Sequence, residues 1–521
     1  MDSAVSEEVG ASAKGIVILS TGNFTSLAVL AVGTILIARL LGPGSYGVFS
    51  LALALPNVLQ GLIGLGVNSA VVKYVGHAVG GGNLKDAKRY TANAVIFLLM
   101  AGAVSAAAEF IFAAPIATVF FGRPYMAGYV QLASLVLLGE AGLQAATAMA
   151  TAWNYMGISA FATVVQAVGK TVLAPGLILI GFGIGGAIGG TAVSWISASA
   201  LCVLLVQLKL RFFSFHMFIR DIRQMLGYGA PMLIGTLATI LASLYLTITL
   251  AEIATNVVVG YYQAASNIVT PLSLLTLSMS MALYPSFARL HGGNQNIGNA
   301  FRYTAKYMAY LAAPAVTLLF ISSNSLFATV YGPSFIQGAR YLQLFCVSMA
   351  PLILGSAAVV PFMAGTGRPR LTLFPSIGGA ILTIVSIPVF SGAFGVYGLI
   401  LSLIVAGFGS VIIGLIVISK TYKISIYIRP IVGSVGGALA GVIPGYLILS
   451  FSFSPLISLS LQIVSFTAVY LTIAPLLGAI NITDIEVARK TMAKIPLVGA
   501  VVLLLLNYQQ KVLHIKDKQL I

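Results

Sequence analysis

Long apolar runs fill most of this chain, and short polar segments separate them. Runs such as residues 94–108 and 431–449 are nearly continuous and lack the period-two alternation of a membrane β-strand. In lipid every backbone polar group needs a partner within the protein, so only helices and closed barrels cross a bilayer. The pattern therefore excludes a barrel and predicts an all-α polytopic membrane protein.

Apolar runs of about 20 residues, the length of a helix that crosses a bilayer, occur fourteen times along the chain. A charged segment at 484–494 follows the last of them, and the short apolar run 495–506 predicts an interfacial helix. The predicted spans lie near residues 15–40, 47–72, 91–120, 127–153, 159–181, 183–207, 227–250, 257–284, 304–323, 341–364, 371–390, 395–419, 430–450 and 456–478.

Composition agrees with a membrane protein. Of 521 residues, 59% are hydrophobic and 7% are charged, whereas soluble domains carry about 25% charged residues. Cys202 and Cys346 lie far apart in apolar surroundings, which predicts buried thiols rather than a disulfide or a metal site. The acidic first ten residues predict no cleavable signal peptide.

The net charge of +16 is distributed unevenly. If the N-terminus is cytoplasmic, all but four of the 27 Lys and Arg residues fall in inner loops and the C-terminal tail. This bias predicts that both termini face the cytoplasm. It also explains the positive charge without a nucleic-acid partner.

Short motifs recur at offsets of 211 to 213 residues, which indicates two copies of a six-span unit in the same orientation. We expect an N-terminal lobe over 1–210, a C-terminal lobe over 211–425, two additional spans over 426–480 and a cytoplasmic interfacial tail over 481–521, with a central cleft between the lobes. The matches are Arg89-Tyr90-Thr91 with Arg302-Tyr303-Thr304, Gly81-Gly82-Asn83 with Gly292-Gly293-Asn294, and Gly183-Ile184-Gly185-Gly186 with Gly395-Val396-Tyr397-Gly398.

Motifs for catalysis are weak in this sequence. Gly169-Lys170-Thr171 resembles the end of a phosphate-binding loop, but Val164 stands where that motif needs glycine, and the tripeptide lies within a predicted span. No His-x-Glu or Cys-x-x-Cys pair occurs. We therefore expect no enzyme, no bound metal and no cofactor.

Charged residues inside predicted spans are the strongest candidates for a function. A charge at the bilayer centre costs at least about 2.5 kcal/mol unless a partner or water compensates it. Lys170 and Glu140 lie at the middle of neighbouring spans, and Glu109 lies toward the outer part of the third. Two interpretations stay open: Lys170 and Glu140 form a packing ion pair, or Lys170 faces an anionic substrate while Glu140 and Glu109 serve coupling.

Basic residues at the ends of predicted spans are further candidates for substrate binding. Arg39 ends the first span at the outer face, where it either reaches lipid headgroups or lines the mouth of a cleft. The cytoplasmic ends carry Lys73, Arg89, Arg302 and Arg368, which either set the topology or attract phosphate. Arg89 and Arg302 hold equivalent positions in the repeat, so we expect them on both sides of a cleft.

The string ARLLGPGSYG at 38–47 resembles the junction of the first two spans in the polysaccharide transporter family, which includes oligosaccharide flippases of the multidrug/oligosaccharidyl-lipid/polysaccharide exporter superfamily. The string LIGLGVNSAVVKY at 62–74 resembles the end of span two in that family. Trp153-Asn154-Tyr155-Met156-Gly157 and Gly365-Thr366-Gly367-Arg368 stand where its members turn between spans. The resemblance covers nearly the whole chain.

The resemblance implies a flippase in the plasma membrane of a prokaryote. It would move a polyprenyl phosphate- or pyrophosphate-linked oligosaccharide across that membrane by alternating access, without ATP hydrolysis. Its partners would be that lipid, membrane lipids and possible pathway enzymes such as glycosyltransferases or a polymerase. A cation-coupled multidrug exporter, a lipid II flippase and a non-transporting assembly protein of an export complex are the alternatives. The drug-exporting branch typically carries Asp in the first span, where this chain has only Asn23.

Overall fold

The computed structural model describes residues 2–64, 66–210, 218–292, 297–424, 428–492 and 498–519. Within these ranges the chain is helical almost throughout and contains no β-strand. It divides into two compact units, Met1–Gln263 and Ala264–Ile521. The all-α fold predicted from the apolar runs is therefore confirmed.

The described part of the first unit contains nine complete α-helices and the start of a tenth. Their bounds are α1 Asp2–Ala52, α2 Ala54–Ile63, α3 Val67–Gly80, α4 Leu84–Ile111, α5 Ala113–Pro115, α6 Ala127–Ala152, α7 Met156–Leu177, α8 Gly183–Leu210, α9 Ile219–Ile253 and α10 Asn256–Gly292. The second unit continues with α11 Ile297–Val330, α12 Gly338–Ser348, α13 Ser356–Gly365, α14 Leu373–Phe394, α15 Val396–Tyr422, α16 Ile428–Leu449, α17 Pro455–Leu476, α18 Ile482–Met492 and α19 Val498–Gln519.

All fourteen predicted spans coincide with helices. Ten helical segments of the described chain are long and apolar enough to cross a membrane, and the bent pair Gly338–Leu354 with Ser356–Gly365 makes an eleventh if it is one span. Two of the ten are too long for a single crossing, because Ile18–Ile63 has 46 residues and Met156–Leu210 has 55. Met156–Leu210 contains two of the predicted spans, Ile18–Ile63 overlaps the first two, and α10 covers the predicted eighth.

Glycines with positive φ break the long segments. Gly42 (φ 71°) interrupts α1, and Gly181 (φ 104°) and Gly183 (φ 52°) separate α7 from α8. Gly183 and Gly395, which the repeat aligns, share the same rare conformation, with ψ of −131° and −133°. This agreement supports the repeat at an independent level. The matching turn at 293–294 lies outside the described residues.

The boundary between the compact units differs from the boundary expected from the repeat. The repeat assigns α9 to the second lobe, which begins at 211, but α9 lies in the first unit and packs against α2, α3 and α4. Packing and sequence repetition thus divide the chain at different places. The divisions at 210, 425 and 480 remain predictions.

Candidate functional site

The amino end of α9 is held to α4 by a buried carboxylate. Oδ2 of Asp221 accepts hydrogen bonds from Nε of Arg89 at 2.9 Å and from Nδ2 of Asn93 at 2.7 Å. Asn93 also accepts the backbone N–H of Phe218 at 3.0 Å. Asp221 is 6% exposed, so these donors replace the water that a carboxylate would otherwise need. We call Arg89, Asn93, Phe218 and Asp221 the amino-end clamp.

Aromatic rings extend this clamp to a second predicted cation. The guanidinium of Arg89 lies 5.3 Å from the ring centroid of Tyr90, which stacks on Tyr74 at 5.5 Å. Nζ of Lys73 lies 5.6 Å from the Tyr74 centroid. The structure therefore brings Lys73 and Arg89 to the same end of the first unit. Lys73 is exposed, whereas the guanidinium of Arg89 is bound to Asp221 and, at 2.9 Å, to Asp86.

At the opposite end of α9, Arg123 binds the connection between α9 and α10. Its guanidinium donates to the backbone carbonyls of Ala251 at 2.7 Å and Ala254 at 2.6 Å, and to Oδ1 of Asn256 at 2.7 Å. Nδ2 of Asn256 donates to the hydroxyl of Tyr125 at 2.6 Å. Arg123 is 9% exposed, so it satisfies carbonyls that the end of a helix leaves without partners.

The segment after the Gly42 break packs on the same connection. A Cβ atom at Gly47 would lie 1.9 Å from the carbonyl oxygen of Asn256, and one at Gly260 would lie 2.0 Å from the carbonyl oxygen of Pro43. Only glycine permits backbones to approach this closely. We call Arg123, Asn256 and this pair of glycine contacts the carboxyl-end clamp. The described structure thus fastens α9 at both ends.

The two predicted carboxylates inside the spans are deeply buried in the first unit. Glu109 and Glu140 are each 2% exposed. Both carboxylate oxygens of Glu109 and one oxygen of Glu140 have no hydrogen-bond partner among the described residues. Burial of such groups is costly in a membrane, and residues of this kind there usually mark an ion or substrate pathway.

Lys170 is the cation nearest in electrostatic terms to this pair. It interacts with Glu140, which in turn interacts with Glu109. No contact of 4.0 Å or less joins Lys170 to either carboxylate, although all three residues are described. The three groups therefore form one electrostatic cluster across α4, α6 and α7 without a direct ion pair. Lys170 and Glu140 are thus not in direct contact, and a packing role and a substrate role for them both stay predictions.

The second unit carries the remaining cytoplasmic candidates, and Arg39 lies in the first. Arg302 is half-buried on α11 and donates to Oδ1 of Asn299 at 3.2 Å. Arg368 is exposed and lies 5.7 Å from the ring centroid of Tyr422. Arg39 is exposed on α1, three residues before Gly42. Binding of substrate by these residues remains a prediction.

Sequence reasoning missed several residues that the structure makes prominent. In the sequence, Arg123 is one of the four basic residues outside the predicted inner loops and tail. No sequence pattern pointed to Asn256. Asp221 is one of only 11 acidic residues in the chain. A search for the partners of these rare carboxylates would have identified it as a candidate. In the second unit Lys306 forms a buried ion pair with Asp484, whose other oxygen accepts the hydroxyl of Tyr307 at 2.8 Å.

These features define a polytopic α-helical membrane protein with charged groups buried among its spans. The chain belongs to the family described as polysaccharide biosynthesis protein, whose sequence profile matches residues 12–291. The resemblance seen at 38–47 is thereby confirmed.

The chain is similar to proteins named as transporters. The succinoglycan biosynthesis transport protein ExoT of Rhizobium meliloti (strain 1021) is 24% identical over 368 residues, which cover 67% of this chain and 68% of ExoT. The lipid II flippase MurJ, solved in an inward closed conformation, is similar in fold at TM-score 0.74 and 13% identity, over 88% of this chain and 98% of MurJ. An inward-facing multidrug resistance transporter of the MATE family reaches TM-score 0.62 at 19% identity, over 79% of this chain and 99% of the transporter.

Proposed function

We propose that this protein moves a lipid-linked oligosaccharide across the plasma membrane by alternating access, without ATP hydrolysis. The family, and the name of ExoT as a succinoglycan biosynthesis transport protein, support a substrate of polysaccharide biosynthesis. MurJ, whose fold is similar, is named a lipid II flippase, which supports a lipid-linked substrate. By the charge bias of the loops, the amino-end clamp faces the cytoplasm and the carboxyl-end clamp faces outward.

The two clamps of α9 are the observation that carries this proposal. A transporter that opens to one side at a time needs a separate closure at each end of its moving helices. The contacts at both ends are specific, because they depend on Arg89 with Asp221 at one end and on Gly47 with Gly260 at the other. The two clamps share no residue, and in our proposal each opens in turn.

The cations are placed suitably for a phosphate-bearing substrate. Lys73 is exposed beside the amino-end clamp and lies on the cytoplasmic side in the proposed orientation. The headgroup would meet Lys73 and Arg89 as the clamp opens, then pass Lys170 and leave near Arg39. Glu109 and Glu140 would bind the coupling cation or proton, because three of their four buried oxygens are without partners among the described residues. Arg302 and Arg368 would serve the second lobe in the same way.

A cation-coupled multidrug exporter is the second candidate, favoured by the fold shared with MATE transporters. Such a protein would take cationic drugs, whereas the exposed Lys73 and Arg368 favour an anion. Substrate charge therefore distinguishes the two candidates. If the protein is instead a scaffold of an export complex, the purified protein should transport neither class of substrate.

Reconstitution into liposomes tests the proposal. Purified protein is incorporated with a fluorescent polyprenyl-pyrophosphate oligosaccharide, and the accessibility of the probe in each leaflet is followed without ATP. We expect translocation by the wild type, a reduced rate for Lys73→Gln, and a normal rate for the control Lys85→Gln, which removes an exposed charge from the same end of the unit. No translocation under any imposed ion gradient, together with export of a cationic dye, would favour the drug exporter.

A further inference from the structure

A cavity with a partly polar lining lies at one end of the second unit, beside α11. It has a volume of about 610 Å³ and is lined by parts of α11, α16, α18 and α19 and by the connection after α17. Its charged lining residues are Lys306 and Arg429. Tyr303, Asn481 and Thr483 add a ring, an amide and a hydroxyl to the same wall.

Backbone packing builds this cavity from elements distant in sequence. A Cβ atom at Gly433 of α16 would lie 2.8 Å from the backbone nitrogen of Ala479, so α16 is held directly against the connection after α17. Gly478 in that connection has φ of +85°, which favours glycine, and the position of its missing Cβ lies 3.5 Å from Nε of Arg429. The side chain of Arg429 therefore passes directly beside this backbone.

The two cations differ in how far the protein neutralises them. Lys306 is bound to Asp484, and both carboxylate oxygens of Asp484 are occupied, by Lys306 with the backbone N–H of Asn481 and by the hydroxyl of Tyr307. Arg429 forms no hydrogen bond or ion pair with any described residue. Asp484 is not among the described lining residues, and no described carboxylate of the cavity wall pairs with the positive charge of Arg429.

The chemistry of the cavity suits a phosphate. A guanidinium binds two oxygens of a phosphate at once, and the ammonium, amide and hydroxyl groups around it are donors to the others. Ile482 and Thr483, at the amino end of α18, line the same wall, and the dipole of a helix favours an anion at this end. In the proposed orientation the cavity lies at the cytoplasmic membrane surface, where basic pockets between helices hold anionic headgroups.

We propose that this cavity, the Arg429 pocket, binds a phosphate-bearing anion, either the headgroup of an anionic lipid or a free phosphate. The ligand joins α16 to α11 and to the C-terminal helices α18 and α19. This inference goes beyond the transport function and does not depend on it, because binding is measured without any translocation.

Native mass spectrometry of the full-length protein tests the Arg429 pocket. Delipidated protein in detergent is titrated with dioctanoyl phosphatidylglycerol, and dioctanoyl phosphatidylcholine serves as the lipid without net charge. We expect the wild type to retain phosphatidylglycerol preferentially, and Arg429→Gln to lose affinity about tenfold, because one charge-assisted contact is removed. Lys490→Gln, which removes an exposed charge of α18 outside the cavity, should bind like the wild type.

Two further experiments complete the test: displacement of the bound lipid by phosphate, and a conservative variant of Arg429. Displacement of the lipid by inorganic phosphate identifies a free-phosphate site, and resistance to displacement identifies a headgroup site; either result supports the pocket. Arg429→Lys keeps the charge and should retain part of the affinity, which separates loss of binding from loss of folding. Equal binding of phosphatidylglycerol by wild type and Arg429→Gln, or no preference over phosphatidylcholine, would overturn the proposal.

Discussion

Gly47 and Gly260 lie in two segments that pack on each other reciprocally. Gly47 lies against the carbonyl of Asn256, and Gly260 lies against the carbonyl of Pro43. The two glycines are 213 residues apart, and so are Pro43 and Asn256, which is an offset of the sequence repeat. Each segment thus gives the other the same contact, as a local two-fold relation produces. In our proposal this contact closes the outer side.

We predict that Gly47→Ala and Gly260→Ala each disrupt this contact. An added Cβ at 1.9 or 2.0 Å from a carbonyl oxygen forces the two backbones apart. Thiol labelling from outside, at a cysteine introduced in place of the buried Val259, should therefore become faster in both variants. The chain used for labelling carries Cys202→Ala and Cys346→Ala. Gly44→Ala is the matched control, because its Cβ would meet Val257 at an ordinary 3.6 Å. Equal labelling of all three variants would exclude the glycine contact as a closure.

We predict that Arg123→Gln loosens the same end of α9. The substitution leaves the buried carbonyls of Ala251 and Ala254 without their charged donor, at a cost of roughly 2 kcal/mol. Thermal denaturation in detergent should begin at a lower temperature than for wild type. Arg340→Gln, which removes an exposed arginine of the second unit, should change the midpoint little. A midpoint equal to wild type for Arg123→Gln would mean that water replaces the guanidinium.

The amino-end clamp gives a prediction about coupling between two residues. Asp221→Asn and Arg89→Gln should each lower the free energy of unfolding, measured by denaturation in detergent. The double variant should lose less stability than the sum of the two single losses, with a coupling energy of roughly 0.5–3 kcal/mol. Asp86→Asn, whose carboxylate is a more exposed partner of Arg89, should couple more weakly. Additive effects of the first pair would show that the buried bridge does not hold the clamp.

Lys170 and Glu140 allow the packing and substrate interpretations to be separated. Lys170→Leu alone removes the cation near two buried carboxylates, so we expect reduced stability and reduced transport. Lys170→Leu with Glu140→Leu removes both charges and should recover stability. We predict that this double variant still fails to translocate the lipid-linked oligosaccharide. Normal translocation by the stable double variant would show that Lys170 and Glu140 serve packing and not transport.

The sequence predicts the spans well because every helix that crosses lipid needs a run of about 20 mostly apolar residues. All fourteen predicted spans fall on helices, and even the breaks at Gly42 and Gly183 were marked by glycine. Arg89 and Lys73 were chosen from the charge pattern, and the structure brings them together through Tyr74 and Tyr90.

Contacts between distant backbones were beyond the sequence analysis. Asn256 closes the carboxyl-end clamp through its carbonyl, its amide oxygen and its amide nitrogen, and no local pattern distinguishes such an asparagine. Likewise, Asp221, the buried acid that binds Arg89, lies 132 residues away in the sequence, and only the folded structure shows that the two residues are in contact. Depth in the membrane can be read from a span, but rotation about the helix axis cannot, so the missing ion pair of Lys170 was not predictable.

A reversible disulfide across the carboxyl-end clamp tests alternating access most directly. Gly44→Cys with Val257→Cys is made in a chain whose native thiols are removed by Cys202→Ala and Cys346→Ala, because a Cβ at 44 would lie within 3.6 Å of the Val257 side chain. We predict that oxidation stops translocation of the lipid-linked oligosaccharide in liposomes, that reduction restores it, and that each single cysteine variant is unaffected. Undiminished translocation with the disulfide formed would contradict the account.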